Sequence, residues 1–216
     1  MNLAKQEIVS AKREATRIRN RDAIKKAAWE VFCSRGLDGA TVRDIVGASG
    51  VSIGTFYNYY GTREAVFQEL LADLADQART ISAKARAGQD NLHPMLAESY
   101  RHFLSFILGV DGALDFCARN QHHIRSYLFT LDATSGLLSD IRADIVRVMP
   151  QATFTQSELR QVAMLIVANA LEILLQAREE QQALDVDTAS AFITRLIVSG
   201  IGGWERRQDP ATPAAS

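Results

Sequence analysis

Two cysteines in 216 residues, Cys33 and Cys117, lie far apart in apolar helical contexts, which reads as buried thiols rather than a disulfide framework. No apolar run is long enough to cross a bilayer. The most apolar stretch, 159–175, is interrupted by Arg160, Gln161, Asn169 and Glu172. The opening MNLAKQEIVSAKRE lacks the apolar core of a secretory leader, which points to the cytoplasm. Nothing alternates at period two for long enough to make a strand, and there is no internal repeat. Catalytic signatures are missing as well. There is no nucleophile–base–orienter set, no carboxylate pair in a plausible cleft and no cofactor loop. The GIGG at 200–203 lacks the preceding strand and the spacing of a phosphate loop. His122 and His123 are adjacent, so on a helix they point about 100° apart and cannot chelate one metal together. The expectation is a protein that is not an enzyme, with no cofactor and no metal.

The net charge of −1 gives no global signal for nucleic acid, but the charge is unevenly spread. Eleven basic and six acidic residues precede Glu64, a balance of +5, which leaves −6 for the remainder. A basic head on an acidic body suits a head that meets phosphate and a body that does not.

Helical periodicity runs through the chain. Ile24, Ala28, Val31 and Phe32 share one face of a first helix ending near Arg35, with Gly36 just beyond it. Thr41 and Asp44 form a capping pair that opens a second helix, Ser49-Gly50 turns the chain, and Ser52 caps a third. Thr62 caps a fourth helix from Arg63, on which Val66, Leu70, Leu71 and Leu74 keep the period. Further helices are expected at 94–108, 111–129, 134–149, 156–182 and 188–207. The fold class is therefore all-α with about nine helices. A flexible basic arm is expected over 1–16, a helix-turn-helix head over 17–63, a helical body over 64–208 and a disordered tail over 209–216.

The stretch from about 21 to 71 resembles the DNA-binding domain of the TetR family of one-component bacterial repressors. The resemblance rests on Ala28, Phe32, Gly36, Thr41, Ile45, Gly50, Val51, Ser52, Gly54, Thr55, Tyr57, Tyr60 and Glu64. Val46 departs from the alanine usual at the close contact of the two helices, and Arg63 stands where lysine is frequent. The resemblance implies a homodimer on a palindromic DNA operator and a small-molecule pocket in the C-terminal body. Relatives that bind DNA better with ligand leave open whether an effector releases or promotes binding.

On this reading Thr41 and the second-helix N-terminus meet a phosphate. Gly54 lets the backbone approach the groove wall, and Ser52, Thr55 and Asn58 reach base edges, Asn58 with the geometry to pair bidentately with adenine. Tyr57 and Tyr60 give hydroxyls to phosphates, with core packing as the other reading of each. Arg63 is expected on a phosphate, and Arg43 is a weaker candidate. Lys12, Arg13, Arg17 and Arg19 make either an arm along the DNA or a solvated charged tail.

In the body, Ala163, Val167, Ala170 and Leu174 on one helix and Phe192, Leu196, Ser199 and Gly203 on the last are expected at a two-fold dimer seam, with internal core as the alternative. Phe103, Phe106, Phe116, Arg119, His123, Tyr127, Met164 and Asn169 are the candidates to line a pocket for a small hydrophobic effector. The body is also similar, more faintly, to TetR-family members that read fatty acyl chains. That similarity lies in Phe103–Phe106, the layout around 113–129 and the closing GGWERR, and it implies a fatty acid or acyl-CoA as effector.

Overall fold

The computed structural model describes residues 2–131 and 136–205, with side-chain surroundings for 10–127 and 136–201. Ten α-helices and no strand are found among the described residues: α1 (Asn2–Gly39), α2 (Val42–Ser49), α3 (Ile53–Tyr57), α4 (Arg63–Arg86), α5 (Leu92–Gly109), α6 (Ala113–Arg119), α7 (Gln121–Leu131), α8 (Leu137–Val148), α9 (Gln156–Glu179) and α10 (Val186–Glu205). The tail expected over 209–216 and the helix start expected at Thr134 lie outside the described residues. None of the described helices is long and apolar enough to cross a membrane.

The chain divides into two compact units. The first comprises residues up to Leu74 together with Asp115–Ile124, so its boundary is not the expected one at Arg63. The cause is aromatic. Phe32 of α1 meets Phe67 of α4 edge-on at 5.3 Å, Phe67 stacks on Phe116 at 5.2 Å, and Phe116 stacks on Trp29 at 4.5 Å with the rings 13° from parallel. Burying three or four rings together outweighs the connectivity, and α6 joins the head. Asn120 completes the joint. Its Oδ1 accepts from Leu37 N at 2.7 Å, and its Nδ2 donates to the carbonyls of Phe32 (3.2 Å) and Phe116 (2.8 Å). That buried amide sits where a single helix over 111–129 was expected, and the chain breaks there into α6 and α7. Opposite it, Gly36 kinks α1 at φ 69°. A Cβ at Gly36 would also come within 3.1 Å of the Arg119 carbonyl, so glycine is required on both counts.

The N-terminal segment expected as a flexible arm is helical from Asn2, continuous with α1. Its Lys12, Arg13, Arg17 and Arg19 are exposed.

The second unit contains Ala75–Leu114 and the chain from Arg125. Leu92, Met95, Leu96, Tyr100, Leu104 and Ile107 give α5 a buried face that packs chiefly along α10 and also meets α9. Tyr100 donates its hydroxyl to the Ile166 carbonyl of α9 at 3.2 Å. Two cross-helix ion pairs tie the end of α4 to α8: Arg79 Nε to Asp140 and Arg86 Nε to Asp144, both at 2.7 Å. Thr155 and Glu158 form a reciprocal capping box at the start of α9.

Candidate nucleic-acid interface and body cavity

The interface is built from short-range signals. Thr41 caps α2 in a complete capping box with Asp44, and Arg35 of α1 holds the same carboxylate at 2.7 Å. The hydrogen bonds from Thr41 hold the Asp44 carboxyl below its ordinary pKa. Gly50 ends α2 in the left-handed region at φ 70°, its N–H returning to the Val46 carbonyl. Ser52 then caps α3, accepting from Thr55 N at 3.1 Å, with the Thr55 hydroxyl 2.8 Å away. Phe56 is wholly buried and pins α3 to the head.

That anchoring decides what α3 presents. Ser52, Ile53, Gly54, Tyr57 and Asn58 are exposed, with Tyr57 at 55% and Ile53 at 49%, while Thr55 is half-buried. A Cβ at Gly54 would meet nothing closer than Ser52 Oγ at 4.0 Å, so internal packing does not demand glycine there. Arg43 is exposed on α2. Ile53 was absent from the sequence candidates. Its signal was positional, an apolar side chain directly after an N-cap on a helix whose buried residue is Phe56.

Two candidates belong elsewhere. Tyr60 is 5% exposed, tilted against Phe56 with ring centres 6.0 Å apart, and its hydroxyl makes no hydrogen bond of normal geometry. Burial pushes that phenol's pKa up, and Arg21 and Glu69 stand close enough to influence it. Arg63 is turned inward. It pairs with Glu64 at 2.7 Å and donates to the carbonyls of Asp38 and Ala40, so it caps the end of α1 rather than standing ready for phosphate. Part of the head's positive charge is similarly engaged. Arg21 meets Glu69 at 2.9 Å, and Lys25 bonds both Glu69 (3.0 Å) and Asp73.

The body candidates separate. Phe116, Arg119 and His123 fall in the first unit; Phe116 is in the aromatic stack, and His123 Nε2 lies 2.9 Å from Asp38. Within the second unit, α4, α5, α8 and α9 line a mostly apolar, half-open cavity of about 40 Å³. Phe103 lines it, together with Arg86, Ser99 and Tyr100, whereas Phe106, Tyr127, Met164 and Asn169 are half-buried outside it. Val167 and Ala170, expected at a dimer seam, line this cavity. Ala163, Ala170 and Leu174 are buried within the unit at 0–3% exposure, because they form the inner stripe of α9. Phe192 and Leu196 are 50% and 57% exposed, Ser199 is exposed beside them, and Leu165 of α9 is 56% exposed. The surroundings of Gly203 lie outside the described residues. Both cysteines are thiols, Cys33 half-buried and Cys117 buried, and burial raises the pKa of Cys117 to about 12. No group of three or more potential metal ligands occurs among the described residues.

Residues 24–70 match the family model for bacterial regulatory proteins of the tetR family. The chain is similar to the HTH-type transcriptional repressor DhaR of Mycobacterium sp. (strain GP1), 33% identical over 96 residues, 43% of this chain and 46% of that one. It is also similar to the repressor KstR2 of Mycolicibacterium smegmatis, 36% identical over 56 residues, 26% and 27% of the two chains. The matches thus span less than half the length of these curated relatives. In fold it is similar to FadR from Bacillus subtilis, solved in complex with stearoyl-CoA, with a TM-score of 0.70 and 18% identity over 83% of this chain and 98% of that one. A regulator from Syntrophomonas wolfei gives a TM-score of 0.69 at 20% identity over 85% and 95%. The helix-turn-helix and its caps thus lie within residues 24–70, the stretch that matches the family model for bacterial regulatory proteins of the tetR family.

Proposed function

We propose that the chain is a DNA-binding transcriptional repressor that acts as a homodimer on a palindromic operator and is released by a small hydrophobic effector held in the second unit. The observation that carries the reading is the solvent-facing side of α3: Ser52, Ile53, Gly54, Tyr57 and Asn58 exposed while Phe56 is anchored beneath them. A short capped helix bearing a hydroxyl, an amide, a phenol and an uncovered backbone has the donors and the narrow profile that a major groove accepts. Arg43 and the N-terminal N–H groups of α2 supply phosphate contacts. Ile53 adds an apolar contact of the kind a thymine methyl accepts.

Dimerisation is assigned to the outward face of α9 and α10, where Leu165, Phe192, Leu196 and Ser199 are exposed. A homodimer carries two recognition helices, and the half-sites of a palindromic operator lie about 34–36 Å apart. A fatty acid or an acyl-CoA is the effector class that the neighbour solved with stearoyl-CoA supports. Helix α4 contributes to both units, from Arg63 at one end to Arg86 beside the cavity at the other. An effector with higher affinity for the non-binding arrangement shifts the equilibrium by that difference in affinity.

The test is selection of duplexes from a random pool, followed by anisotropy titration at several salt concentrations. Tyr57→Ala is expected to weaken binding tenfold or more, roughly the 1.4 kcal/mol of a lost phosphate or base contact. Arg43→Ala should lower the slope of log affinity against log salt by about 0.9. Failure to enrich any duplex, or wild-type affinity in Tyr57→Ala, would remove the reading.

A further inference from the structure

Arg86, the last residue of α4, is 1% exposed. Its Nε lies 2.7 Å from Asp144 Oδ2 and its Nη1 3.4 Å from Ser99 Oγ, but Nη2 is buried with no acceptor. A guanidinium offers five N–H donors and cannot shed its proton, so a buried, unanswered N–H is a standing demand for an oxygen. Charge points the same way. Asp144 is also held by Arg147, whose Nη2 and Nε lie 3.0 and 3.3 Å from Oδ1. Two guanidiniums share one carboxylate, which leaves the cluster one positive charge in excess.

Arg86 lines the cavity of about 40 Å³, whose other walls include the apolar side chains of Phe103, Val167 and Ala170. Tyr100, also in the wall, already donates its hydroxyl to Ile166. At roughly 10–15 Å³ for each water-sized position, the pocket holds about three such positions, the size of a carboxylate group, and its open side admits a short alkyl end.

We propose that this cavity binds a short-chain aliphatic carboxylate of about two to four carbons. One carboxylate oxygen accepts from Arg86 Nη2, and the alkyl end lies against Phe103 and Ala170. The proposal rests on the reading of the second unit as effector-binding and narrows it: the head group is a free acid, not a thioester or amide, because only a carboxylate answers both the bare N–H and the excess charge.

Calorimetric titration of the whole chain with sodium butyrate, butyramide and sodium octanoate, without DNA, tests it. Butyrate is expected to bind saturably at one per chain, butyramide at least about tenfold more weakly, and octanoate more weakly than butyrate. Ala170→Val, which fills the cavity and leaves the Arg86–Asp144 pair intact, is expected to abolish the butyrate signal while retaining a cooperative melt. The butyrate–butyramide comparison needs no variant, so it stands even if Ala170→Val fails to fold. No saturable butyrate signal, equal binding of butyramide, octanoate binding as tight as butyrate, or unchanged binding in a folded Ala170→Val each overturns the assignment. Because no DNA enters the titration, loss of the repressor reading and loss of this site are separately visible.

Discussion

At the scale of single residues, what distinguishes functional from structural side chains is what their polar atoms already touch. Asn120 is a clear structural case, with both ends of its amide occupied inside the first unit. Asn120→Ala strands the Leu37 N–H and the Phe32 carbonyl, and is expected to cost about 1–3 kcal/mol, read as a lower urea midpoint. Glu69 is the titrating case. Burial works against its charge, but hydrogen bonds from Lys25 and Arg21 outweigh it and hold its pKa below the ordinary 4.5. A depressed carboxylate contributes stability above its unfolded value and loses it as pH falls through the folded one. The stability gap between the parent chain and Glu69→Gln is therefore expected to be present at neutral pH and to close below about pH 4.5. A gap that widens on acidification would contradict this pairing. Sequence pattern located the charges of α1 but not their partners on α4, since ion pairs 48 positions apart leave no periodic trace.

At the scale of elements, local signals were readable and facing was not. Thr41 with Asp44, Gly50, and Ser52 before α3 were all legible, because caps and left-handed turns are set within four residues of sequence. The inner and outer stripes of α9 are a different matter. A 3.6-residue period shows that a helix has an apolar face, but an internal cavity and a partner subunit both satisfy that face. Hence Ala163, Ala170 and Leu174 looked suited to a seam and are core, while Leu165 was passed over and is exposed. The two roles are separable by experiment. Leu174→Ala is expected to destabilise by about 2–5 kcal/mol through the cavity it leaves, with association state unchanged. Leu196→Glu should leave the melt nearly intact and shift sedimentation to the single-chain species. A Leu196→Glu protein that sediments like its parent would move the proposed seam away from α10.

At the scale of the whole molecule, the all-helical class and the helix-turn-helix head were legible, and the partition of the chain was not. Phe116 reads as a pocket residue in sequence because nothing local reveals that Trp29 and Phe67 stack on it from far earlier positions. The expected boundary followed a chain break, whereas the real one follows buried ring area. A fragment ending at Leu74 is expected to lack a cooperative thermal transition by circular dichroism, since it leaves the Trp29 and Phe67 faces bare; a sharp melt would show that Asp115–Ile124 is dispensable. The return of Asp115–Ile124 also bears on the order of events during synthesis. A ribosome must extrude more than half of the protein before the N-terminal module can close around Phe116 and Asn120. The N-terminal module of the nascent chain therefore stays open until part of the second unit has been made.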